Sequence, residues 1–353
     1  MQDATRHAGP VPIGRIAELA GVSVATVSKV LNGRPDVAAQ TRARVEAVIE
    51  QQGYRRRRAR SSTLPPLIDL VLNELDSAWS IEVITGVKRV ASGAGIDVVL
   101  SELGGAHRPT TAWLDRVLAR RPVGVLLVQA DIDREQRNRL LAASIPCVVI
   151  DTAGEPPIGV PTVGSGNWSG GLAATRHLLG LGHRRVGVIS GPLDVLCSRA
   201  RVDGYRTAHE ELGLTVDPEL IRYGNFVFSG GYQHGLDLLD RPDRPTALFA
   251  GADAQALGVI RAAAELGLRV PDDLSVVGYD DLQIAQWTVP ALTTVRQPLH
   301  AMAATAMDMV LELAAGRTPA NPRIELATEL VVRGSTAPWP GPAGPAEPVP
   351  PRA

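Results

Sequence analysis

Seven short apolar runs recur between residues 67 and 278: LIDLVL, IDVVL, VGVLLV, CVVI, RVGVIS, TALFA and LSVVG. Several are rich in Val, Ile and Leu without polar alternation, the pattern of strands covered on both faces in a parallel sheet. Between them, segments such as 81–91, 171–181, 256–266 and 302–315 carry apolar residues at helical spacing. Strand–helix alternation sustained over about 270 residues predicts an α/β chain with doubly wound parallel sheets, and that length favours two lobes.

The first 53 residues follow a different pattern. IGRIAELA has Ile16, Leu19 and Ala20 at helical spacing, and Gly21 permits a tight turn after it. Ser23 is a good N-cap for a second helix that ends at Asn32-Gly33, and TRARVEAVIEQQ makes a third with Val45, Val48 and Ile49 on one face. On a helical wheel the second helix buries Val27, Val30 and Leu31 and presents Ala25, Ser28 and Lys29, with Val24 near its exposed start. A helix-turn-helix needs this division, because its second helix enters the major groove with N-terminal side chains at base edges. Ser23, Thr26 and Ser28 suit phosphates, Val24 and Ala25 suit thymine methyls, and Lys29 suits a guanine edge. A plain three-helix bundle with capping hydroxyls is the competing reading.

Charge is divided along the chain. Residues 1–60 hold eleven Arg or Lys against five Asp or Glu, whereas the remainder holds 25 against 32. A basic head on an acidic body points to an anionic polymer as the partner of the head alone. Residues 54–66, YRRRRARSSTLPP, form a hinge or linker, either a conditional helix or a basic coil. Residues 337–353 are Pro-rich, and disorder is expected there. The two cysteines, Cys147 and Cys197, are far apart, which fits a reducing compartment. No signal-like apolar start and no membrane-length apolar run occur, so a cytoplasmic, nucleoid-associated protein is expected.

IAELAGVSVATVSKVLNG followed by TRARVEAVIEQQGYR closely resembles the DNA-binding head of the lactose-repressor (LacI/GalR) family. NWSGGLAATRHLLGLGHRRVGVISGP, RVDGYRTAHEELGL, RVPDDLSVVGYDDLQIAQWTVPALTTVRQP and ELATELVVRGST are similar to that family's effector-binding core, so the resemblance covers residues 11–336. It implies a helix-turn-helix domain over 11–53 and a two-lobed core over 67–336 like periplasmic sugar-binding proteins. Lobe 1 is expected at about 67–162 and 293–322, and lobe 2 at about 163–290 and 324–336. It further implies a homodimer that reads a palindromic operator in double-stranded DNA, acts as a repressor, and answers to a small carbohydrate effector in the cleft. On this reading Val24, Ala25 and Lys29 read bases. Ser23, Thr26, Ser28 and Asn32 touch phosphate or orient the helix. Arg55, Arg56, Arg57 and Arg58 contact the DNA backbone or minor groove. The hinge departs from the family: Arg56-Arg57 replaces its Pro-Asn, and its wedge leucine falls on Thr63 or Ser62.

The effector site implied by the resemblance comprises Asp76, Trp79, Ser80, Asp151, Ser165, Cys197, Arg201, Phe226, Asp253 and Asp280, with Trp287 as a further stacking surface. Aromatic faces suit a sugar ring, and planar charged groups suit paired hydroxyls. Core or interface packing competes for Trp79 and Trp287, and helix capping or strand-end bonding competes for Asp253 and Asp280. Ala252 stands where relatives often have asparagine. The glycine cluster GSGNWSGG fits neither dinucleotide nor P-loop spacing, and no nucleophile elbow or histidine metal spacing occurs. No enzyme activity, cofactor or metal is therefore expected. A transport receptor and a sugar-acting enzyme are the rival readings.

Overall fold

The computed structural model describes residues 13–31, 37–52, 65–155 and 159–341. The chain divides into two units at residue 64.

The first unit holds three helices, α1 (Ile13–Ala20), α2 (Val24–Leu31) and α3 (Ala39–Gln51). Ile16, Ala17, Ala20, Val27, Val30 and Val45 form its buried core, with Val22, Val37, Val48 and Ile49 packed around them. Gly21, at φ 62°, turns the chain between α1 and α2, as expected of a residue without Cβ.

The second unit contains both lobes. In chain order its elements begin with β1 (Leu67–Leu72), α4 (Ala78–Gly93), β2 (Asp97–Glu102), α5 (Thr111–Arg120), β3 (Gly124–Val128), α6 (Arg134–Ala142), β4 (Cys147–Ile150) and β5 (Thr162–Ser165). There follow α7 (Asn167–Gly180), β6 (Val186–Ser190), α8 (Leu196–Glu211), β7 (Ile221–Tyr223), α9 (Phe228–Leu239), β8 (Ala247–Ala250), α10 (Asp253–Glu265) and β9 (Ser275–Asp280). The last are β10 (Thr293–Arg296), α11 (Leu299–Ala314), β11 (Arg323–Leu326) and β12 (Glu329–Val331). Lobe 1 has strand order β11-β5-β4-β3-β1-β2, and lobe 2 has β12-β10-β9-β8-β6-β7. All recorded pairings are parallel except β10–β12. Each sheet is covered on both faces, which explains the unalternating runs.

Three crossovers join the lobes, at residues 166, 297–298 and 327–328. This corrects the lobe boundaries expected from sequence. β5 and β11 belong to lobe 1 and β10 to lobe 2, because hydrogen-bond partners decide membership. Two crossovers are tied together: Gly166 N–H donates to Leu326 O at 2.9 Å, and Thr328 Oγ1 donates to Gly166 O at 3.3 Å.

The expected disorder from residue 337 is also corrected for residues 337–341. After β12 the chain laces across the N-terminal ends of the lobe 2 strands. Ser335 Oγ accepts from Thr293 N–H and donates to Val276 O. His183 Nε2 is 3.2 Å from Ala337 O, and Trp339 N–H donates to Leu181 O at 2.8 Å.

Candidate functional site

On α2, the face turned from the head's core carries Val24, Ala25 and Lys29, all exposed, with Thr26 and Ser28 half-buried beside them. Ser23 Oγ accepts the N–H of Thr26 at 3.1 Å and lies 2.9 Å from Thr26 Oγ1, capping the helix as its sequence position predicts. Small side chains and an electropositive helix start are thus presented to solvent together. Asn32, Arg55, Arg56, Arg57 and Arg58 lie outside the described residues.

The second cluster is assembled where strands end. Gln129 follows β3, Asp151 follows β4, Ser165 closes β5, Gly251 follows β8, Asp280 closes β9 and Gln297 follows β10. Ligands of open α/β sheets bind at these ends. Arg201, buried on the second turn of α8, is at the centre. Its Nε donates to Asn167 Oδ1 at 2.9 Å and its Nη1 donates to Gly251 O. Its guanidinium carbon lies 3.7 Å from the Tyr279 ring centroid and 5.2 Å from that of Phe226. Phe226, half-buried at φ 61°, lies against Gly191, where a Cβ would meet its ring at 2.0 Å.

Two carboxylates share this centre. Gln129 Nε2 donates to Asp151 Oδ2 at 3.3 Å. Gln297 Nε2 donates to Asp280 Oδ1 at 2.6 Å and its Oε1 accepts from Ser165 Oγ at 2.6 Å, a chain that runs from lobe 2 to lobe 1. Burial pushes the Asp280 carboxyl up to about 7, with Arg201 pulling the other way. Burial raises Asp151 in the same sense. Cys197, buried at the start of α8, has its thiol pushed up to about 12 by burial, which keeps it in the protonated, weakly nucleophilic form.

Other residues expected at the cleft have different settings. Asp253 is fully buried, accepting from Thr294 Oγ1 at 2.6 Å and from Leu282 N–H at 2.8 Å. Both of its oxygens are thus engaged within lobe 2, where they tie β10 to the loop after β9. Ser80 is also buried, and its Oγ donates to Glu74 O at 2.7 Å within the capped start of α4. Trp79 packs against the lobe 1 core, and Asp76 is exposed in the loop before α4. Trp287 is 67% exposed, near Val289 at 96%.

Gln129, Asn167, Tyr279 and Gln297 were not singled out by sequence, nor was Asn73, whose buried Oδ1 at the end of β1 has no hydrogen-bond partner. For Asn73, Gln129 and Tyr279 the one available signal was position, directly after an apolar run, and Asn167 and Gln297 lacked even that. Among the described residues no cluster of His, Cys, Asp or Glu suits a metal ion, and no helix is long and apolar enough to cross a membrane.

Known proteins match along nearly the whole chain. The family described as bacterial regulatory proteins, lacI family, matches residues 13–57, and the periplasmic binding protein-like domain matches 175–336. The HTH-type transcriptional regulator MalR of Streptomyces coelicolor is 35% identical over 338 residues, which cover 93% of this chain and 97% of that protein. The solved transcriptional regulator CelR–cellobiose complex aligns with a TM-score of 0.68 at 32% identity, covering 92% of this chain and 99% of its own. The lac repressor dimer bound to operator and the anti-inducer ONPF aligns with a TM-score of 0.67 at 28% identity, covering 93% and 100%.

Proposed function

The chain belongs to the lacI family of bacterial regulatory proteins and is a DNA-binding transcriptional regulator rather than an enzyme; from that premise we propose a repressor whose grip on its operator is set by a neutral sugar held between the lobes. The observation that carries the sugar reading is Arg201, set between aromatic rings and hydrogen-bonded beside two buried carboxylates, with groups from both lobes around it. Planar hydrogen-bonding groups take vicinal hydroxyls and the rings take a C–H face. The one buried guanidinium already faces two buried carboxyl groups, so a phosphorylated or acidic sugar finds no unshared counter-charge there. The solved relatives hold cellobiose in one case and operator with ONPF in the other.

Mechanism follows from linkage. A sugar that bonds Asp151 and Asp280 together with Arg201 favours one lobe arrangement, and it releases operator only by preferring the DNA-incompetent state. In the head, Val24, Ala25 and Lys29 read base edges while Ser23, Thr26 and Ser28 hold phosphates, with Asn32 and Arg55–Arg58 adding backbone contacts. The protein works as a homodimer on a palindromic site in the cytoplasm, at the chromosome. The exposed apolar pair Trp287 and Val289 supports a subunit contact on lobe 2.

A thermal-shift screen of neutral mono- and disaccharides against their phosphates, followed by operator binding with each hit, tests this. A neutral sugar should raise the melting temperature and change operator affinity. Stabilisation by phosphorylated sugars alone would reject the reading.

A further inference from the structure

Leu282 and Ile284 follow β9, a strand of lobe 2, yet their side chains belong to the core of lobe 1. Leu282 is buried in the same cluster as Leu72, Val83, Leu299 and Met302, and Ile284, Leu75 and Trp79 pack against it. The next residue, Ala285, is buried in the core of lobe 2. One short segment is therefore stitched into both lobes. It starts from a turn in which Asp280 and Asp281 both hold left-handed φ, 113° and 57°. Residues with a Cβ keep such angles only where their surroundings impose them. The restraints are visible: Asp281 is ion-paired to Arg296 at 2.7 Å and Arg333 at 2.5 Å, and Leu282 N–H is held by Asp253.

We propose that Leu282 and Ile284 are positioning residues for the effector site: they key the β9 loop of lobe 2 into the core of lobe 1, and that key holds the Asp280 carboxylate in place, with Asp253 fixing the backbone behind it. The inference rests on Asp280 as an effector-binding group. The lobes then move as a rotation about this apolar seam, because opening along it would draw two aliphatic side chains out of a packed core.

Asp280 supplies a readout that needs no sugar. The charged and titratable groups acting on it are Arg201 and Cys197 from α8, Asp151 after β4, Asp253 from α10 and Tyr279 from β9 itself. Held as found, its raised carboxyl favours the folded state fully below the unfolded value of 3.8, and that contribution is lost as pH rises through about 7. The melting temperature of the ligand-free protein, relative to its Asp280→Asn variant, should therefore fall between about pH 4 and 7 and level off above. In Leu282→Ala the turn relaxes and the carboxyl returns toward the ordinary carboxylate range, so adding Asp280→Asn to that background should leave the pH profile unchanged. Leu282→Met, which fills similar volume, should retain the original difference. If Leu282→Ala does not fold, Ile284→Ala is read in the same way. Uniformly lower melting with the Asp280 difference intact would make these ordinary core residues and overturn the proposal. A failed sugar screen alongside a lost Asp280 difference would reject the sugar and keep the key.

Discussion

Arg201 combines three interactions that a lysine cannot reproduce together: a bond to Asn167, a bond to Gly251 O and stacking against Tyr279. Arg201→Ala should cost about 3–5 kcal/mol in urea denaturation, because Asp151 and Asp280 lose their buried counter-charge. Operator binding should survive in folded Arg201→Ala protein while the sugar response disappears, and a normal response would displace Arg201 from the site. On the head, Lys29→Ala should cost about 1–3 kcal/mol at one base position in a panel of operator variants. Equal loss on every sequence would make Lys29 a phosphate contact. Arg201 and Asp280 were legible in sequence through flanking motifs, SRARVDGY and GYDD. Gln129 and Gln297 were not, since a lone amide after a strand carries no pattern until the sheet order brings it beside a carboxylate.

At the level of elements, α7 and α8 approach so closely that a Cβ on Gly171 would lie 2.2 Å from Arg201 O, and one on Gly204 would lie 2.2 Å from Trp168 O. Within the GSGNWSGG cluster, Gly171 thus serves helix packing and Gly170 makes room for the Tyr279 ring. Gly171→Ala must push the backbone of Arg201 itself. It should cost about 1–3 kcal/mol of stability by overpacking and weaken sugar binding as well, measured by urea titration and calorimetry. Ser23→Ala, removing the cap of α2, should cost the head about 1 kcal/mol, read by helix melting. The strands missed in sequence, TVGS, IRY, TTVR, RIEL and ELV, are short, and all five lie at or next to a sheet edge. The three edge strands bury less and so lose the aliphatic signature of the central ones, whereas TVGS and TTVR are largely buried but carry hydroxyls engaged in hydrogen bonds, as at Ser165 and Thr294.

Over the whole molecule, the basic head and acidic body predict operator binding that weakens steeply with salt, with a log–log slope near 0.9 per phosphate engaged. Sugar binding, seated on buried groups, should be nearly indifferent to the same salt series. Acid should act through the C-terminal lacing. Burial holds His177 and His183 below the usual imidazole value, so the unfolded chain takes up protons that the folded one refuses. Their contribution is complete above pH 6.5 and is lost as pH falls, a trend that His183→Gln should blunt in thermal melting. Ending the chain at Arg333 deletes Ser335, Ala337 and Trp339 from lobe 2 and should lower the melting temperature in a thermal melt. The lacing also decides how the protein can be put to use. Because the lacing runs along the strand ends of lobe 2 opposite those that carry Gly251 and Asp280, a dye or affinity handle attached at Trp339 would sit at the far end of the sheet from the Arg201 cluster, which suits the molecule to being mounted as a sensor of whatever that cluster binds.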